Sequence, residues 1–385
     1  MVAWHDGYVA IGAGNVAENV AGHGLFLASA DGVRWSITQE VELRPSESFT
    51  RILAVGDRLL AVTQVASVSC PAGTPCASPD FTPDLWASSD GAHWTAVDSP
   101  TWHAALGGAG PRWVVSGDAG IIAVGSEYAM RQPSEPAMPA VPLVVHSDDG
   151  VTWQKADLTQ GFDHALFRDV VAYPGGFVIV GRDGVEDPRS EVVDPANPTP
   201  LGLGRPAAWF SADGVHWSAT DVDGVEIAGG ELSQVVAGAD GLFAVGRGSP
   251  TVGDATPSGW SSTDGRTWHA VGSLGSDLPD MDLGASQPGY VTGVSVLASD
   301  GDHIVVLDRA ARGAETMAAW VSTDGATWDQ LAFTGSTDLP KIGMYDGPGA
   351  QGMYVTGGWV LGDRIVVTGY GATPTRLWLA MATWP

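Results

Sequence analysis

Short apolar runs come in pairs along this chain, each pair joined by a Gly-rich turn. Ile52-Leu53-Ala54-Val55 and Leu59-Leu60-Ala61-Val62 flank Gly56-Asp57, and Val170-Val171-Ala172-Tyr173 and Phe177-Val178-Ile179-Val180 flank Pro174-Gly175-Gly176. Val235-Val236-Ala237 with Leu242-Phe243-Ala244-Val245, and Trp359-Val360-Leu361 with Ile365-Val366-Val367, repeat the arrangement. Runs this short, rich in Val and Ile and bounded by turn residues, predict buried strands rather than helices.

After most of these pairs comes a polar phrase of fixed form, Ser-x-Asp-Gly-x-x-Trp. It is written six times, ending at Trp35, Trp94, Trp153, Trp217, Trp268 and Trp328, with spacings of 59, 59, 64, 51 and 60 residues. The chain is therefore a repeat protein. Asp31, Asp90, Asp149, Asp213, Asp264 and Asp324 accept backbone N–H bonds across a tight turn, and the Gly after each supplies positive φ. Each phrase is expected at a hairpin tip, with its Trp opening the next strand and burying a large ring. These Asp and Trp residues read as structural.

Each period thus holds four strands, A to D, with the Asp-Gly hairpin between C and D. Four strands every 51 to 64 residues predict propeller blades. Val2 to Gly12 aligns without a gap on Val171 to Gly181, so the chain opens in a strand A, and it closes on Arg376 to Pro385, a strand C without a following phrase. The expected fold is all-β: a seven-bladed β-propeller of four-stranded antiparallel blades in a single domain. Its units span about 1–45, 46–108, 109–163, 164–228, 229–286, 287–350 and 351–385. Sequence upstream of Met1 is expected to complete the seventh unit.

The repeated phrase resembles that of the Asp-box, or BNR-repeat, propellers, whose pattern is Ser/Thr-x-Asp-x-Gly-x-Thr-Trp. Here Gly follows Asp directly, and Thr152, Thr267 and Thr327 precede the Trp in three copies. The resemblance implies that the box lies between the third and fourth strands and faces away from the functional surface. Its members include sialidases, other glycosidases and sorting receptors, so it does not carry an activity.

Charge narrows the partners. The chain has 44 Asp and Glu against 18 Lys and Arg, for a formal net charge of −26, which repels nucleic acid and anionic membranes. No run reaches the 18 apolar residues of a membrane span. Cys70 and Cys76, the only cysteines, lie in a Pro-rich loop and read as a local disulfide of an oxidising compartment. The protein is accordingly expected to be secreted, periplasmic or cell-surface, with any signal sequence upstream of Met1.

Long loops crowd the end of the blades opposite the hairpins: 64–84, 128–141 and 184–206 between strands B and C, and 274–289 and 333–352 between D and A. A face carrying such loops is where binding is expected. Arg51, Arg112 and Arg168 stand near the start of the innermost strand in three successive units, where they suit an anionic ligand. Asp169, Gln234, Tyr290, Tyr345 and Tyr354 are placed with them as ligand-binding candidates. Sialidases use three arginines, a Tyr–Glu nucleophile pair and an Asp acid, and their Phe-Arg-Ile-Pro motif is not reproduced here. Asp277, Asp280 and Asp282 form a candidate calcium cluster, as does Asp221-Val222-Asp223-Gly224-Val225-Glu226, while no other cofactor is expected. The leading expectation is a binding or scaffold protein recognising a glycan, peptide or protein through its long-loop face. The alternative is a sialidase-like glycoside hydrolase or a polysaccharide lyase with a site at the central axis.

Overall fold

The computed structural model describes residues 1–14, 21–32, 34–45, 47–65, 83–107, 110–127, 141–158, 161–184, 205–223, 230–248, 256–273, 294–309, 317–331, 353–361, 364–371 and 377–383. These residues are arranged as successive β-sheets, each made of strands consecutive in the chain. The first sheet takes β1 (Val2–Trp4), β2 (Gly7–Gly14), β3 (Ala21–Ser29) and β4 (Ser36–Pro45). The second takes β5 (Glu47–Val55), β6 (Arg58–Val65), β7 (Leu85–Ser88) and β8 (Thr95–Val97). A helix, α1 (Pro100–Leu106), leads into the third: β9 (Pro111–Gly117), β10 (Gly120–Glu127), β11 (Val141–Ser147) and β12 (Gln154–Lys155). The fourth holds β13 (Ala165–Tyr173), β14 (Gly176–Asp183), β15 (Arg205–Ser211) and β16 (Ser218–Ala219). After it comes the two-residue β17 (Asp221–Val222) and then β18 (Glu231–Gly238), β19 (Gly241–Gly248), β20 (Thr256–Ser262) and β21 (Thr267–Ser273) of the fifth. The sixth is β22 (Val294–Ser299), β23 (Ile304–Arg309), β24 (Met317–Ser322) and β25 (Asp329–Leu331), and the last is the three-stranded β26 (Met353–Leu361), β27 (Arg364–Gly371) and β28 (Leu377–Thr383).

Apart from β17, neighbouring strands within the first three and the last three of these sheets pair antiparallel. The chain forms two compact units, residues 1–178 with 210–218 and residues 179–209 with 219–385.

The apolar runs owe their unbroken character to burial on both faces. Leu59 to Val62 on β6, Ile121 to Val124 on β10 and Leu242 to Val245 on β19 are all buried, and β6 packs against the first sheet on one face and the third on the other. The cores accordingly lie between successive sheets. In the first unit Val9 and Phe26 pack with Ile52, Leu59 and Trp94, and Leu60 and Val62 pack with Ile121, Ala123 and Val145. In the second, Phe243 and Val245 pack with Leu297, Val306 and Trp320. Full burial of each such side chain contributes roughly 1.5–3 kcal/mol. The indole of Trp94 stacks flat on Phe26 of the preceding sheet, with ring centroids 4.1 Å apart and planes 6° from parallel.

Two elements depart from the expected strand-only pattern. At α1, Ser99 caps the helix by accepting the Trp102 N–H, Pro100 occupies the first turn, and Gly107 ends it in the left-handed region. Trp102 anchors it in the core, its Nε1 donating to the Pro83 carbonyl at 2.7 Å. The second departure is β17, which pairs parallel to β21 and so adds a fifth strand to the fifth sheet.

Candidate functional site

The repeated hairpins use up their own polar groups. In every copy the Ser hydroxyl accepts from the Gly N–H at 2.8–2.9 Å and donates to Asp Oδ1 at 3.0–3.2 Å. Asp Oδ1 also accepts the N–H three residues on, at 2.7–2.9 Å. Trp35, Trp94, Trp217 and Trp268 each donate Nε1 to the carbonyl of the turn Gly. The six turn glycines have φ between 66° and 75°, and a Cβ at Gly150 or Gly214 would strike Leu60 or His146 of the preceding sheet at 2.5 or 2.6 Å.

In four copies the second carboxylate oxygen is engaged as well. It meets the ring of His93 at 2.6 Å and of His216 at 2.7 Å, and the hydroxyls of Thr152 and Thr327 at 3.2 Å. The bond from His93, with the backbone N–H groups beside it, holds Asp90 well below the usual carboxylate range. At Asp213 the His216 bonds outweigh the opposing effect of burial, and that carboxyl is lowered too; His216 is raised by the same contact. Backbone bonds from Thr327 and Ala326 bring Asp324 to about 2.

Four of the hairpins are also tied to the segment that leaves the sheet before them. The Val151 carbonyl accepts from the Ser99 and Thr101 hydroxyls, Val215 from the Asp157 N–H at 2.8 Å, and Arg266 from the Asp221 N–H at 3.0 Å. Gln39 brackets Trp94, accepting its N–H and donating to its carbonyl. Asp221 opens β17 and Asp223 follows it in a bend, where it donates its N–H to the Trp268 carbonyl and its carboxylate meets His269 at 2.7 Å, while Gly224, Val225 and Glu226 of that candidate calcium cluster lie outside the described residues. Among the described residues no group of three or more His, Cys, Asp or Glu could hold a metal ion.

At the opposite end of the first strands the backbone repeats but the side chains do not. An extra residue bulges from β5, β9 and β18 at Thr50, Arg112 and Ser233, and β22 and β26 break register between Val294 and Val296 and between Val355 and Gly357. Thr50 and Ser233 turn their hydroxyls to the Val62 and Val245 carbonyls of the adjacent strand, at 3.2 and 3.1 Å. Arg112 has no such hydroxyl. It is exposed, with its guanidinium 4.8 Å from the centroid of the Trp113 ring.

Arg51 is the residue after the Thr50 bulge, exposed and paired with Val62, while Arg168 and Asp169 are half-buried on β13. The strands β5, β9 and β13 lie side by side in that order within the first unit, which brings the three arginines onto neighbouring strands. They do not share one register, since Arg112 is itself the bulge and Arg51 follows one. Gln234 accepts the Leu297 N–H at 2.9 Å and so links β18 to β22. Tyr354 lies on β26 opposite Tyr370. Tyr290, Tyr345, Cys70, Cys76, Asp277, Asp280 and Asp282 lie outside the described residues.

One group at this end has no counterpart in the sequence reading. Glu47, at the head of β5, is 1 % exposed and carries a charge network. Its oxygens accept from Arg44 Nε at 3.0 Å, Arg44 Nη2 at 3.1 Å, the Arg44 N–H at 3.0 Å and the Thr63 hydroxyl. Burial by itself would raise this carboxyl, but the Arg44 and Thr63 bonds prevail and hold it below its ordinary value. The spacing Arg44-Pro45-Ser46-Glu47 was the available signal, an oppositely charged pair three residues apart.

No family model matches the chain, and no curated protein matches it. Among solved structures it is similar to the Trypanosoma rangeli sialidase in complex with the inhibitor DANA, at 13 % identity and a TM-score of 0.44 over 90 % of this chain and 56 % of that one. The β-propeller domain of the Trilobed protease from Pyrococcus furiosus is similar at 7 % identity and 0.46, over 86 % and 82 % of the two chains. Phage phi92 endosialidase is similar at 12 % and 0.44, over 99 % and 66 %. The chain thus spans little more than half the length of the sialidase chain it matches.

Proposed function

We propose that the chain is a seven-bladed propeller of the Asp-box kind, in a single domain, and that it works outside the cytoplasm as a binding module. The first strands of successive sheets lie side by side within each unit, as they do around a propeller axis. Its ligand is a glycan or peptide bearing a carboxylate, held at the loop end by Arg51 and Arg112 with Arg168 beside them. The observation that carries this reading is the exposure of Arg51 and Arg112 on adjacent strands. Exposed guanidinium groups offer a carboxylate paired N–H donors, a local attraction that acts within contact range against the acidic net charge of the chain.

We read the site as binding without turnover, and the state of Glu47, the acidic residue nearest Arg51 in the chain, supports that reading. A retaining glycosidase needs a carboxylate free to attack the anomeric carbon and a second to protonate the leaving group. Both oxygens of Glu47, four residues from Arg51, are taken by Arg44 and Thr63. The test is calorimetric titration with sialic acid, a uronic acid and the matching neutral sugars, beside an assay on fluorogenic sialosides. Binding of the acids alone, lost in Arg51→Ala and without hydrolysis, is expected. Hydrolysis abolished by Arg51→Ala would replace the binding reading with the sialidase one, and equal binding of acidic and neutral sugars would remove the arginines from the site.

A further inference from the structure

We infer that Glu47 is a positioning residue for Arg51: its buried carboxylate clamps the head of β5 and so sets the bulge from which Arg51 projects. The inference rests on the reading of Arg51 as a ligand-binding residue. Four strand ends meet at Glu47. Arg44 closes β4 and binds the carboxylate in a bidentate pair, with a backbone bond besides. Thr63, near the end of β6, donates its hydroxyl to Glu47 and accepts the Asp84 N–H at 2.7 Å, while its own N–H goes to the Asp84 carbonyl at 3.1 Å. Asp84 stands just before β7, and its carboxylate lies 3.6 Å from Arg44.

Arg44 is 38 % exposed and can reach water, but Glu47 is 1 % exposed, so a shift that breaks its bonds leaves the carboxylate unpaired away from water, and the arrangement around it is held to one geometry. That selectivity is placed where the backbone most needs it. Three residues from Glu47 the ladder gives way at Thr50, where a bulge leaves one residue without a partner strand position. Phe49 pairs with Thr63 and Arg51 with Val62, so the clamp and the bulge share the strand β6. Slippage of the head of β5 by one residue would turn Arg51 to the other face of the sheet.

The test is a double-mutant cycle on sialic acid binding, with backbone amide exchange as a readout that needs no ligand. Glu47→Gln keeps the shape and removes the charge. It is expected to weaken binding about tenfold in the native background and by less than about twofold once Arg51 is alanine. Thr63→Val, which spares the Arg44–Glu47 pair, is expected to weaken it less. In the ligand-free protein, Glu47→Gln should speed exchange at the amides of Phe49, Thr50, Arg51 and Ile52 while those of the hairpin at Asp149 keep their rates. An affinity loss of equal size with and without Arg51, or unchanged exchange at these four amides, would overturn the inference. If Arg51→Ala alone leaves affinity unchanged, the binding reading fails instead, and the exchange result still decides whether Glu47 sets the bulge.

Discussion

At the hairpin end, six aspartates make the same two Oδ1 bonds, to the Ser hydroxyl and to the N–H three residues on, at distances that differ by no more than 0.2 Å. At the loop end, Thr50, Arg112 and Ser233 occupy one backbone position and do different things. The hydroxyls of Thr50 and Ser233 close on a carbonyl of the neighbouring strand, whereas the guanidinium of Arg112 lies over Trp113 and faces solvent. Where every copy of a repeat needs the same bonds to fold, the residue cannot change. Where the backbone supplies the geometry unaided, the side chain is free to differ, and the differences mark the places available for binding.

The contrast predicts the largest stability effect at the tightest point of the hairpin end. Gly176 has φ +134° and sits where a Cβ would lie 2.2 Å from the Ser211 carbonyl oxygen. Gly176→Ala is expected to cost about 3–5 kcal/mol, since backbone strain and a clash with main chain act together. Thermal unfolding close to that of the native protein would show that the two turns do not interlock. A smaller loss, about 1–3 kcal/mol, is expected for Asp213→Ala, which leaves the N–H groups of Val215 and His216 without their acceptor. Denaturant titration measures it, and an unshifted midpoint would break the structural reading of the hairpins.

The loop end should answer in the opposite sense. Arg51→Ala and Arg112→Ala are expected to change stability by no more than about 0.5 kcal/mol. Each should nevertheless weaken the binding of a carboxylated sugar about tenfold, as read by calorimetry. Loss of folding in either variant would erase the distinction between the two ends.

The smallest effect concerns pH. Asp213 has its folded carboxyl lowered, so its stabilisation is present above the unfolded value of about 4 and fades as pH falls through the lowered one. His216 is raised, so its share is complete below about 6.5 and is lost as pH rises through the raised value. The stability difference between the native protein and His216→Ala should therefore be widest between about pH 4 and 6.5 and shrink above it. A difference that widens steadily into the alkaline range would contradict the pairing.

The strands and hairpins were legible because their chemistry is local. Ser29, Asp31, Gly32 and Trp35 complete one another within seven residues, and the apolar runs on β6, β10 and β19 announce their burial directly. The helix α1 carried local signals too, with Ser99-Pro100 at its start and Gly107 at its end. The residues of the candidate site were legible only as types. Arg51 and Arg112 stand out as cations in an acidic chain, but whether they align depends on the bulges, and a bulge is a property of two paired strands.

The rest was decided by contacts between residues far apart in the chain. The bond of Asp223 to His269 spans 46 residues and that of Gln39 to Trp94 spans 55. Glu47 reads as one acidic residue among 44 until Arg44, Thr63 and Asp84 are brought around it. Sequence by itself determined the elements, because each element's hydrogen bonds and apolar face are written within it. Tertiary structure alone decided which carboxylate is buried, which Asp becomes a strand residue and which arginines are left to solvent, because burial and pairing of a charge depend on what the rest of the chain packs against it.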